Sequence, residues 1–473
     1  MKILVAGSGP SSFATMLNLL KTNHEIYLID NSEQSEDDFD KCIFSENFKN
    51  GNRIPENINI FDQQEFNFEN DGPYPSKIFG GYSNVWGGTL FEPTKSEVEL
   101  YNSLDIDIQK YFKLIKKNLY TAGCNLNNNL VQINQTKREE MIFSALKNFD
   151  SEMSKTYFSE ICINPANPYL NDLNKICKEC NGIIWACRQD TIWTTKSFFN
   201  KLINDKRINY ISNFKLKSLK ESIDNSEVIC LFENNNIQRE LIFDKVFIAA
   251  GPIGTSKIIM NSSNIKAIEV RTCDMLSLPF FKLSFSRSKE HTFADIFSFL
   301  KISNTEIFMQ IYGYSRNLLK MSLGVVPFIK YLKFLPDIFF SSFGGMFVYF
   351  DQNISSSIQL IKNNEKINIK IKNKSKINKS LINKLSKHLL KSKVIPLSFL
   401  SKQFYFGKSN HMGGQFYHST NKTGVSSDRL GRILDFQNVH IIDSSVLPII
   451  NVGPITAVTM ANSYRISEEI INH

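Results

Sequence analysis

"KILVAGSGPSSFATMLNLLKTNHEIYLID", residues 2–30, opens with a short apolar run and breaks at Gly7-Ser8-Gly9-Pro10. The run is rich in β-formers and predicts a buried strand. Beyond the glycines, Phe13, Met16, Leu17 and Leu20 recur at the spacing of one helical face. Residues 24–30 then read as a second strand and close on Asp30. Strand, glycine turn, helix, strand and terminal acid form the βαβ layout suited to a dinucleotide. Gly7 permits the tight turn. Gly9 lets the backbone approach a pyrophosphate at the positive end of a helix that Pro10 and Ser11 open. Asp30 is placed to accept hydrogen bonds from a ribose, and its charge disfavours a 2′-phosphate. Ser12 stands where the fingerprint carries a third glycine, a position that asks only for a small side chain.

Working outward, "DKVFIAAGPIGTSKIIM" (244–260) predicts another buried strand, Val246 to Ala250, running into Gly251-Pro252 and a helix starting near Thr255. The end of the chain, 432–470, repeats the theme. "VHIID" closes on Asp443, a proline-bearing loop follows, and after Pro454 a helix places Val458, Ala461 and Ile466 on one face. Segments from both ends of the chain are therefore expected to close one sheet around one cofactor.

In chain order, "GSGPSS", "GGYSNVWGG" (80–88), "AAGPIGT", "HMGG" and "IIDSSVLP…GP" resemble the motifs of the glucose–methanol–choline (GMC) oxidoreductase family. The resemblance covers the first ninety residues, roughly 160–262, and the last seventy. It implies an α/β fold: an FAD-binding Rossmann-like domain of the glutathione-reductase type with an interleaved, β-sheet-based substrate domain. The FAD domain is expected from 1–130, 160–262 and 425–473. The substrate domain is expected from 263–424, with 131–159 contributing. The implied activity is oxidation of an alcohol or sugar hydroxyl by hydride transfer to flavin N5.

The resemblance also implies a set of cofactor contacts. Gly80 and Gly81 would lie bare against the cofactor, Ser83 and Asn84 would hydrogen-bond it, and Trp86, Gly87 and Gly88 would line the flavin ring. Ala250, Gly251, Thr255, Asp443, Ser444, Gly453 and Pro454 would complete the flavin-holding loops. Residues 70–100 contain neither His nor Cys, so the FAD is expected to be non-covalent.

A base working near neutral pH favours histidine, and the chain has seven. The resemblance puts His411 at the family's catalytic base, although the family's later Thr and Met are missing or displaced. His418 is the rival. Family members carry a second His or Asn just before the loop proline, but here Gly453 fills that slot. Asn451, two residues upstream, is the nearest side chain that could stand in. That departure leaves two alternatives open: another flavin reaction, such as amine oxidation or double-bond reduction, or a non-catalytic flavin-binding protein at a membrane or in an assembly.

Composition sets the bounds. Of 473 residues, 42% are apolar and 21% charged, which excludes wholesale disorder, and the length predicts two domains. The +9 excess is mild for this size and argues against nucleic acid as a partner. Eight cysteines are no disulfide framework. Cys177, Cys180 and Cys187, with Cys162 upstream, lack the second close pair of a zinc motif, so no metal is expected. The N-terminus lacks the longer apolar region of a signal peptide, and no uninterrupted apolar stretch reaches the ~18 residues of a spanning helix. The expectation is a cytoplasmic protein with a small-molecule alcohol or sugar substrate, an electron acceptor the sequence does not identify, and room for peripheral membrane contact. Two stretches raise that contact: the Phe-rich, lysine-dotted 318–343, read first as core packing, and 376–393. In the latter, Ile377, Leu381, Leu385 and Leu389 share a helical face opposite lysines, a pattern read first as a solvated surface helix.

Overall fold

The computed structural model describes residues 1–32, 66–68, 76–84, 86–123, 131–132, 137–148, 154–165, 191–234, 237–283, 293–302, 304–314, 340–364, 366–404, 411–420, 425–433 and 435–472. The cysteines at 177, 180 and 187 and most of 318–343 lie outside these residues. Five parallel strands form the central sheet: β1 (Lys2–Ala6), β2 (Glu25–Ile29), β3 (Asn209–Ile211), β4 (Lys245–Ile248) and β5 (Val439–Ile441). Their spatial order is β5-β4-β1-β2-β3. Ile3 to Ala6 of β1 and Val246 to Ile248 of β4 are all buried, as expected of parallel strands covered on both faces. That double burial explains why these runs are continuously apolar rather than alternating.

Three helices follow three of these strands: α1 (Pro10–Leu19), α2 (Gly251–Ser262) and α3 (Thr456–Ile471). The sequence places the start of α2 near Thr255; the helix starts one turn earlier, where Pro252 in its first turn presets the backbone. The first and last helices of the chain pack against each other. Asn18 Nδ2 donates to the Tyr464 carbonyl at 2.8 Å and to Ser467 Oγ at 3.0 Å.

The remaining sheets are mainly antiparallel. A three-stranded meander (Lys215–Glu221, Val228–Asn234, Ile237–Phe243) lies beside a five-stranded sheet. The latter orders Met412–Gly413, Ala267–Thr272, Ser357–Asn363, Lys366–Asn373 and Phe66–Phe68. Its inward residues, among them Ile268, Val270, Ile358 and Leu360, join the same core as the parallel sheet. So although 267–272 and 357–373 fall in the stretch expected to build the substrate domain, their apolar faces pack with the parallel sheet.

A separate seven-stranded sheet is centred on Met275–Phe281, Phe343–Phe350, Thr305–Tyr312 and Ile296–Ile302, and Ser154–Phe158 joins it at one edge. Its own core contains Leu276, Phe280, Met309, Phe350, and Leu385 and Leu389 of the helix Lys379–Lys391. The lysine-bearing helix therefore buries the apolar face its sequence specifies. Among the described residues no helix is long and apolar enough to cross a membrane, and no group of His, Cys, Asp and Glu could hold a metal.

Candidate cofactor cavity and active site

At the C-terminal ends of β1, β2 and β4 lies a cavity of about 600 Å³, within the range of ligand sites. Gly7–Ser11, Asp30, Gly81, Tyr82, Ala249–Gly254, Asp443, Ser444, Ile455, Thr456 and Thr459 line it. The amino termini of α1, α2 and α3 thus converge on one space. None of the three has a side-chain cap: their cap residues are Gly9, Ala250 and Ile455. A helix start leaves backbone N–H groups without intrahelical partners and carries partial positive charge. Three such starts around one cavity fit an elongated anionic ligand such as a dinucleotide.

The turn that opens the cavity is tightly specified. Gly7 has φ +113°, and a β-carbon there would lie 2.2 Å from the Ala249 carbonyl oxygen. Gly9 is bare on the cavity side, with nothing within 4 Å of such an atom. Ser12, in the third-glycine position, is fully buried and donates to the Gly7 carbonyl at 2.6 Å, so its hydroxyl ties the helix to the turn. Asp30 Oδ2 accepts from the Ser8 amide at 2.8 Å and the Ser8 hydroxyl at 2.5 Å. Burial raises the Asp30 pKa, with those hydrogen bonds opposing the shift.

The segment 80–88 divides by task. Gly80 donates its amide to Ser8 Oγ at 2.6 Å, and the β-carbon position of Gly81 lies 3.6 Å from Gly9 Cα. Ser83 Oγ donates to the Gly80 carbonyl, and Asn84 Nδ2 to the carbonyls of Phe79 and Gly81, so both side chains hold the loop's own backbone. Trp86 is not among the cavity-lining residues. It donates Nε1–H to the Trp193 carbonyl at 2.9 Å and packs edge-on against that indole. Gly88 abuts Cys162, whose amide donates to the Gly88 carbonyl; Gly87 beside it is half-buried.

On the opposite wall, Asp443 lines the cavity, accepts from Thr255 Oγ1 at 2.5 Å and caps the turn that follows it through the Ser445 amide. Burial raises its pKa. Thr255, Gly453 and Pro454 do not line the cavity. The sequence gives no hint of its outer end, where Lys215, Lys217, Lys362 and Lys366 project from antiparallel strands and their connections.

Met412 lines the cavity, while its neighbour His411 is not among the lining residues and stacks on Tyr349 with ring centroids 4.7 Å apart. The residue as a whole is only half-buried, but Nδ1 is out of reach of solvent and has no hydrogen-bond partner. Burial holds the His411 pKa down to about 4.

His418 is different. Its Nδ1 lies 2.7 Å from the Asp428 carbonyl and its Nε2 lies 3.0 Å from Asn462 Nδ2. Both nitrogens are occupied and burial lowers its pKa to about 3, so this histidine braces the structure.

The Tyr349 ring on which His411 stacks belongs to an aromatic cluster. Phe91, Phe297, Phe308, Tyr312 and Phe347 pack with Tyr349 and Val452. Phe91 also accounts for Gly453: a β-carbon there would come within 2.7 Å of the Phe91 ring. Asn451 turns its amide to Glu97, donating Nδ2–H to Oε2 at 2.6 Å, while its Oδ1 is buried without a partner. Glu97 is 1% exposed and also accepts from the Thr94 amide at 2.8 Å. Burial pushes its pKa up to about 7, with those bonds opposing. The Thr94–Glu97 capping box is readable in the sequence, but its link to Asn451 is not.

No family model and no curated protein matches the chain by sequence. Among solved structures, that of pyridoxine 4-oxidase from Mesorbium loti superposes with a TM-score of 0.64 at 9% identity, covering 100% of this chain and 99% of the other. The chain therefore has the fold of a known oxidase along its whole length.

Proposed function

We propose that this chain is an FAD-dependent oxidoreductase acting on a hydroxyl-bearing substrate, a member of the GMC group its motifs resemble. The observation that carries the proposal is the cavity itself, where three uncapped helix starts and a bare Gly9 meet Asp30 and Asp443. The pyrophosphate of FAD suits the α1 start, and Asp30 suits its adenosine ribose. Held there, FAD would supply a hydride acceptor for the substrate carbon. His411 takes the hydroxyl proton: burial keeps its ring neutral, and its Nδ1 is buried with no hydrogen-bond partner. The aromatic surroundings favour a hydrophobic or ring-bearing alcohol over a sugar. The structural neighbour, by its name, oxidises pyridoxine, an aromatic alcohol.

The test is anaerobic flavin bleaching of the purified protein with pyridoxine, benzyl alcohol, a hexose, an amine and a reduced nicotinamide offered in parallel. An alcohol should bleach it. His411→Ala should retain its flavin and lose bleaching by about 100-fold or more. Bleaching by the amine or nicotinamide alone would move the chain to another flavin reaction, and a His411→Ala protein that still bleaches at the original rate would remove the base assignment.

A further inference from the structure

Residues 366–427 contain 13 lysines and not one Asp, Glu or Arg. With a net charge of +9 for the whole chain, everything outside this stretch carries a net −4. Part of this charge lies on the strand Lys366–Asn373 of the five-stranded sheet, and part on the helix Lys379–Lys391 and the edge that follows it on the seven-stranded sheet.

That region also exposes large apolar side chains. Phe399 is 82% exposed, Leu283 68%, Leu390 50% and Ile395 45%. They belong to one face. Ile395 pairs with Phe281, two residues before Leu283. Ser386 of the helix lies 2.8 Å from Ser398, the neighbour of Phe399. Lys282 and Lys393 stand close enough that the charge of Lys393 lowers the Lys282 pKa, behind the larger effect of burial. The helix already buries Leu385 and Leu389 against the sheet, so Leu390 lies on its outer side with Lys387 and Lys391, both exposed. Lys393 and Lys402 are exposed beside Ile395 and Phe399.

We infer that this face docks on an anionic lipid bilayer, with Phe399, Ile395, Leu390 and Leu283 entering the headgroup boundary and the lysines meeting lipid phosphates. Apolar tips surrounded by lysine are what an interfacial site requires: the rings and branches partition into the boundary while flexible ammonium groups stay with the charged headgroups. The absence of arginine separates this face from a nucleic-acid site, where guanidinium groups supply bidentate phosphate and base contacts. Docking is independent of the flavin chemistry, since Leu283, Lys387, Leu390, Lys391, Lys393, Ile395, Phe399 and Lys402 are not among the cavity-lining residues.

Co-sedimentation of the full chain with vesicles tests it. The protein should pellet with phosphatidylcholine vesicles containing phosphatidylglycerol, remain in solution with phosphatidylcholine alone, and detach as salt rises. Phe399→Ser should weaken binding about tenfold. Each of Lys387→Ser, Lys391→Ser and Lys393→Ser should weaken it about fivefold. These positions are exposed, so thermal melts of the variants should match the parent, separating loss of docking from loss of fold. Failure to pellet with anionic vesicles at low salt overturns the inference. So does retention of a short DNA duplex or polyglutamate with no dependence on Phe399, because that would mark a general polyanion surface.

Discussion

A side chain at position 453 would collide with Phe91, which is itself wedged against Phe308 at a ring separation of 4.8 Å. The slot beside Pro454 that family members fill with His or Asn is thus filled here from a different element. Gly453→Asn should cost about 1–3 kcal/mol of stability through overpacking. In a Phe91→Ala background that cost should fall by about 1 kcal/mol or more. Urea unfolding of the two single variants and the double variant measures this, and strict additivity would mean the two residues do not compete for the space. Glu97 offers a second test at this scale. Its folded pKa of about 7 lies above the ordinary carboxyl value, so the folded state holds a proton that the unfolded chain releases near pH ~4.3. The folded state then binds more protons between those values, and stability falls as pH rises through that window. Glu97→Gln removes the titration. Relative to the parent, the variant should gain a few degrees in melting midpoint on going from about pH 5 to about pH 8. A difference that stays constant with pH would show the carboxyl already ionised in the fold.

Between β1 and α1, two glycines two positions apart serve different ends. Gly7 is demanded by the protein: its φ of +113° and the Ala249 carbonyl exclude any side chain. Gly9 has φ −75°, which any residue can adopt, and open space beside it. Nothing in the protein's own packing requires its bareness. Gly7→Ala should destabilise the fold by on the order of 3 kcal/mol or more. Gly9→Ala should melt within about a degree or two of the parent, yet bind FAD at least tenfold more weakly, because a methyl group would stand between the backbone and the pyrophosphate. Thermal melts of the apoproteins with FAD titrations read both effects. Full FAD affinity in Gly9→Ala would put the pyrophosphate elsewhere.

Across the whole molecule, what the sequence discloses follows from how local each instruction is. The parallel sheet is legible although its strands come from residues 2–6 and 439–441 alike, because doubly buried strands and the glycine turn are written in consecutive residues. Contacts set by packing across the chain are not. The Asn451–Glu97 bond spans 354 residues, and neither the Phe91–Gly453 contact nor the Tyr349–His411 stack has any local pattern to announce it. The same limit explains Trp86, whose neighbouring glycines suggest a flat ligand while its actual partner is Trp193, far along the chain. The two halves of the candidate site meet at one short strand. Met412 and Gly413 pair with Thr272 and Arg271, and the Gly414 amide donates to the Ser444 carbonyl on the cavity wall. Extended backbone sends consecutive side chains to opposite sides. Met412 therefore enters the cavity while His411 enters the aromatic cluster. The register of this two-residue strand, more than any side chain near it, determines that a histidine rather than its neighbour stands against the aromatic rings.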